Sequence, residues 1–132
     1  MAIPSGPGSE VLYRTTINTQ AQTATAFRWD KTNATTGTSS GTGYVVPANH
    51  IITVISIVIC NNSTTARQMD LYANDGANAI MFLNDFTLPS HESGPFVWND
   101  KIVLVPGDSL LFKVETGGDA DAYCTFIDQD WS

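Results

Sequence analysis

Basic residues are scarce in this chain: six Lys plus Arg stand against thirteen Asp plus Glu among 132 residues, a formal net charge of -7. That sign is opposite to the one a phosphate backbone attracts, so nucleic acid is not expected as a partner. Charge of either sign is thin, at 14% of residues, against ~25% in an average domain. The hydrophobic fraction of 42% is nevertheless too high for a disordered chain. Long apolar runs are also missing. The longest, residues 51–60, is interrupted by Thr53 and Ser56, and a membrane helix needs ~18 or more apolar residues, so no membrane role is expected.

The opening Met-Ala-Ile-Pro-Ser-Gly-Pro-Gly has neither the basic n-region nor the apolar h-region of a signal peptide. Synthesis in the cytoplasm is the resulting expectation. Cysteine is limited to Cys60 and Cys124, far apart and each inside an apolar run. In a reducing compartment such thiols are expected to be free and structural. Helical periodicity is absent as well: nowhere do apolar residues at i, i+3, i+4 and i+7 persist for three turns between cap signals.

What the chain does have is β-branched and aromatic runs punctuated by turn residues. Residues 1–10 carry two prolines and two glycines and read as an extended arm. Residues 10–17 form a first strand with Val11, Tyr13, Thr15 and Ile17 on one face. Residues 31–43 offer almost nothing to bury and read as a long polar loop. The β-branched run 51–60 fits a central strand buried on both faces or crossing a sandwich core. It is followed by a turn at 61–65 and an alternating strand at 67–72 that returns as a hairpin. Asp75-Gly76 then joins that strand to the run 79–83.

Residues 86–94 read as a connector, and further short strands fall at 95–98, 101–105, 110–115 and 122–127. The fold expected is all-β: a single β-sandwich or jelly roll of about eight antiparallel strands over residues 11–132, with the arm in front of it.

Catalytic patterns are weak. Gly107-Asp108-Ser109-Leu110 matches the block that carries the nucleophilic serine in GDSL hydrolases, but both histidines, His50 and His91, precede it and no Asp-x-x-His follows. A tight turn between strands is the better reading. The carboxylate pairs Asp119/Asp121 and Asp128/Asp130 lack the further ligands of a calcium loop and read as loop charges, so no metal and no cofactor is expected. Asn33, Asn61 and Asn62 satisfy the glycosylation pattern yet read as turn chemistry. Trp29, Trp98 and Trp131 with Phe27 and Phe96 could form a carbohydrate platform, though core or interface packing suits them better.

Tyr44-Val45-Val46-Pro47-Ala48-Asn49-His50-Ile51, running into Ile55-Ser56-Ile57-Val58-Ile59-Cys60-Asn61-Asn62-Ser63, resembles a recurring element of small virion proteins of tailed bacteriophages. Ile102-Val103-Leu104-Val105-Pro106-Gly107-Asp108-Ser109-Leu110 is similar to a hairpin in the same proteins. Together the likeness spans residues 44–127.

The resemblance implies a non-enzymatic structural protein on the capsid surface of a virion, a decoration or cement protein; a neck or tail component and a carbohydrate-binding module are the alternatives. Its implied partners are the major capsid protein and neighbouring copies of itself, a trimer being suited to a three-fold joint. Such domains would sit over subunit joints and add interface area that opposes internal pressure, through many weak contacts acting together. Ile3, Pro4 and the exposed members of Phe27, Trp29 and Trp131 are the contact candidates.

Overall fold

β-branched and aromatic residues at alternate positions can cover one face of a sheet while the ladder satisfies the backbone, and the described residues form nine strands. The computed structural model describes residues 8–19, 23–32, 34–35 and 37–131. Its strands are β1 (Ser9–Thr19), β2 (Thr25–Ala26), β3 (His50–Asn61), β4 (Arg67–Asn74), β5 (Ala79–Leu88), β6 (Phe96–Trp98), β7 (Ile102–Leu104), β8 (Ser109–Val114) and β9 (Ala120–Asp130).

One sheet runs β1-β9-β3, with β6 and β7 both pairing along the far edge of β3; the other runs β2-β8-β4-β5. Every pairing between named strands is antiparallel. The inner faces meet in one core, to which Ile52, Ile57 and Phe126 contribute from the first sheet and Leu71, Leu110 and Phe112 from the second. The molecule is an all-β sandwich.

β3 is central, as its composition predicts, but it is buried on one face only. Ile52, Val54, Ile57 and Ile59 are fully enclosed, while the residues between them are half-buried. A bulge between Val54 and Ser56 inserts one residue and restores the inward alternation beyond it. Of the two arrangements its composition allows, β3 takes that of a strand in a sandwich core: β-branched residues also occupy the outer face, and that face is not covered by a further layer of described residues.

Three boundaries differ from the sequence reading. Ser9, assigned to the arm, pairs with Asp130 and opens β1; residues 1–7 of the arm lie outside the described residues. The turn after β3 is not a hairpin, because β3 and β4 belong to different sheets. Asn61 explains the crossing, since its side chain bonds to the carbonyls of Leu88 and Pro89 at the end of β5. Residues 86–88 belong to β5 rather than to a connector. Asp85, at φ 53, makes a bulge there, and Asp70 Oδ1 accepts its N–H, so Phe86 still pairs with Met69.

The polar loop at 31–43 is built largely without strand, and its described parts are tied down. Ala26 N–H donates to Thr38, Trp29 N–H to Gly43, and Thr35 N–H to the Tyr44 hydroxyl. Tyr44 thereby covers Leu111 and Ala26 on the outer face of the second sheet. Gly43, at φ 91, leaves no room for a side chain: an added Cβ would lie 2.5 Å from Asp30 Oδ2 and 2.6 Å from Arg28. Gly43→Ala is therefore expected to destabilise the protein by about 1–2 kcal/mol, measured by urea unfolding.

Candidate functional site

The aromatic contact candidates distribute unevenly. Phe27 and Trp29 are 0% and 4% exposed, so as surface contacts they are corrected. Both follow the short strand β2, whose backbone pairing with β8 turns them inward onto Phe126 and its neighbours, and burying aromatic area outweighs exposing it. Trp131 is half-buried beside Gly8, where an added Cβ would stand 3.2 Å from its ring. Ile3 and Pro4 lie outside the described residues. Trp98 and Phe96 are half-buried and face Phe82 and Phe86, so the five rings do not assemble into one exposed plane.

Ser109 is 5% exposed at the start of β8, and the preceding Asp108 closes a turn by accepting the Val105 N–H. Asp119 and Asp121 accept from the Asn62 side chain. Among the described residues, no group of three or more His, Cys, Asp or Glu is arranged to hold a metal ion.

Two features remain as sites. The first is a cleft of about 600 Å³ at one end of the sandwich, whose walls include Val11, Tyr13, Trp29, Val46, His50 and Asp128. Register explains its polar end: His50 pairs with Asp130, and the next inward positions are Ile52 and Asp128. His50 Nδ1 lies 2.8 Å from Asp128 Oδ1 and Nε2 lies 3.5 Å from Asp130 Oδ1. Both ring nitrogens thus face carboxylates of β9, and His50 ties the start of β3 to the end of that strand.

The cleft's aromatic planes are occupied. Lys31 Nζ sits 4.4 Å above the Tyr13 ring, and Trp29 packs edge-on against Phe126 at 5.0 Å. Beside it, Arg28 pairs with Asp30 and lies 4.6 Å over the Tyr44 ring. The Arg28 guanidinium holds the Asp30 carboxyl well below the usual carboxylate range. These are contacts that fix the loop.

The second feature is the outer face of the five-stranded sheet. Cross-strand register sets Leu12 beside Ile127, Ile127 beside Thr53, and Thr53 beside Val103. A parallel row runs Thr16, Tyr123, Val58 and Val97. Leu12 and Val103 are 63% and 60% exposed, and Tyr123 and Val97 are 46% and 43% exposed. Between these rows stand Arg14, Thr125 and Ser56. Among the described residues, four of the seven exposed large hydrophobics thus lie on one face, against the scattering usual for a surface.

None of these face residues was singled out from the sequence. The signal available was broken alternation: Leu12 sits between Val11 and Tyr13, and Val58 between Ile57 and Ile59, whereas a strand with one wet face should place polar residues there.

The same face separates the two thiols, which are both free. Cys124 points into the core, where burial pushes its thiol far up, and Cys60 is half-buried on the outer side near Asn62. A thiol-specific disulfide reagent is expected to modify Cys60 in the native protein and Cys124 only after unfolding, read by mass spectrometry of labelled peptides. In comparison with known proteins, no family model matches this chain and no curated protein does.

Proposed function

We propose that the protein is a non-enzymatic structural component of a tailed-phage particle, a decoration or cement protein that binds the outer shell and works by association. The observation that carries this reading is the outer face of the five-stranded sheet, on which Leu12, Tyr123, Val97 and Val103 are all exposed. A face of that kind is suited to a partner surface.

The phage-like segments coincide with parts that hold the sandwich in shape. Pro47 stands just before β3, Asn61 joins the end of β3 to β5, and Gly107-Asp108 makes the turn from β7 to β8. They account for a frame that presents the face, and the face is what a shell would meet.

The test is the copy number of this protein relative to the major capsid protein in purified particles from its source, by quantitative mass spectrometry. A ratio near one, or a simple fraction of it, is the expected result. A few copies per particle would move the protein to the neck or tail, and its absence from particles would overturn the reading.

A further inference from the structure

We infer that the free edge of β1, over residues 9–14, binds an extended peptide segment of another protein as an added antiparallel strand, whose inward side chains enter the cleft of about 600 Å³ beside it. The site adjoins the outer face but does not depend on the proposed function, since it rests on the backbone of β1 and on the cleft.

The backbone is the first argument. Thr16 C=O accepts the Ala34 N–H at 3.2 Å and therefore points away from β9. In an antiparallel strand the N–H and C=O of one residue point to the same side, and residues two apart share that side. β1 pairs with β9 from Ser9 to Thr19 without a bulge, so the N–H and C=O of Glu10, Leu12 and Arg14 also point away from β9. Among the described residues, no backbone group bonds to theirs on that side. The segment after β2 covers the edge only from Thr15 onward, where Arg28 N–H donates to the Thr15 hydroxyl and Ala34 N–H to Thr16.

Unpaired groups in a regular row are a template for a further strand. The other edges are guarded against this. β2, β6 and β7 have 2, 3 and 3 residues. β5 exposes Ile80 and Met81, but its pairing with β4 shifts register twice, which breaks the row.

The cleft is the second argument. Val11 and Tyr13, on the inner face of β1, wall it together with Trp29 and Val46. A strand added beside β1 extends the sheet past that wall, and every second side chain on it points to the cleft side. Ser9 pairs with Asp130, and Val11 with Asp128, so two carboxylates stand at the Ser9 end with His50 between them. Lys31 lies at the Tyr13 end. The matching segment therefore carries apolar residues opposite Val11 and Tyr13 and a basic residue at the Ser9 end.

The same two features select the occupant. Residues 1–7 of this chain are poor ladder formers, since Pro4 and Pro7 lack an N–H. β1 of a second copy would add no side chain to the cleft, because its own Val11 and Tyr13 face a cleft of their own. A segment with no second layer behind it satisfies both the edge and the cleft.

The probe is the acetylated and amidated hexapeptide Thr-Val-Thr-Val-Thr-Lys, titrated into the isotope-labelled full chain and followed by NMR. Laid antiparallel along residues 9–14, it turns both valines and the lysine inward, with the lysine at the Ser9 end, and its threonine N–H groups bond to β1. Binding is expected with a Kd below about 1 mM, with hydrogen exchange slowed at Glu10, Leu12 and Arg14. Methylating the nitrogen of the central threonine, which faces β1, is expected to weaken binding at least about tenfold, whereas methylating that of the next valine, which faces away, costs less than about threefold. Leu12→Pro removes an N–H that no described residue accepts, so it is expected to keep the circular-dichroism spectrum and lose the peptide. Leu12→Thr, which keeps that N–H, is expected to bind.

No binding by about 1 mM, equal losses from the two methylations, or exchange protection confined to other residues would each overturn the inference. Should Leu12→Pro fail to fold, the two methylated peptides decide alone. A wild type that dimerises through β1 without peptide would also overturn it, by giving the edge to a second copy.

Discussion

Phe126→Ala is expected to lower stability by about 3–5 kcal/mol, toward the upper end of that range. Phe126 is 0% exposed on β9, between Tyr13 on β1 and Val54 on β3. Its ring meets Trp29 at 5.0 Å and Tyr13 at 5.9 Å. The cost of a truncation depends on whether the neighbours can close the gap, and here both are held. Trp29 N–H is bonded to the Gly43 carbonyl, and Tyr13 lies under the Lys31 ammonium. A cavity would persist.

Urea unfolding with an unchanged slope is the measurement, accompanied by a melting temperature lower by roughly 10–20 °C. Leu12→Ala, 63% exposed on the same sheet, is the control and is expected to cost below ~1 kcal/mol. Equal costs for the two would contradict the assignment of inner and outer faces.

That contrast also marks what was legible in advance. The strands could be read because each satisfies a local rule: Val11, Tyr13, Thr15 and Ile17 do share the inner face of β1, where Thr15 and Ile17 are 0% and 1% exposed. The turn from β4 to β5 was legible for a similar reason. Asp75 Oδ1 accepts the N–H groups of Ala77 and Asn78, and Asn74 Oδ1 accepts that of Gly76, all within a few residues.

Sheet membership was not legible. Asn61-Asn62-Ser63 is turn chemistry whether the chain returns beside β3 or crosses to the other sheet, and the deciding bonds go to Leu88 and Pro89, far along the sequence. Residue type likewise could not assign Phe27 and Trp29 to the core, since aromatics suit interfaces and interiors alike. The outer face of the five-stranded sheet was legible only in part. Its apolar residues break the alternation of β1 and β3, but that they fall into rows depends on the long-range register of β9 with both strands.

Asn61→Asp is expected to destabilise the protein by about 3–5 kcal/mol at neutral pH, although it exchanges one amide nitrogen for oxygen. Asn61 is 2% exposed. Its Nδ2 donates toward the carbonyls of Thr65 at 3.0 Å, Pro89 at 3.0 Å and Leu88 at 3.4 Å, while its Oδ1 accepts the Ser63 N–H at 2.9 Å. One side chain thus closes the turn after β3 and locks it to the end of β5 in the other sheet. An aspartate would keep the Ser63 bond but turn a charged acceptor toward three carbonyl oxygens. Burial and repulsion would raise its folded pKa above the ~3.9 of an unfolded aspartate. The penalty would therefore be smallest below pH ~4, where both states are protonated and the acid can donate one bond, and would grow as pH rises through the raised folded value. Unfolding free energies of wild type and variant, measured from pH 4 to 8, are expected to diverge with rising pH. Parallel curves would mean that these carbonyls are not what the Asn61 amide satisfies, and that the two sheets are joined at this end by apolar packing alone.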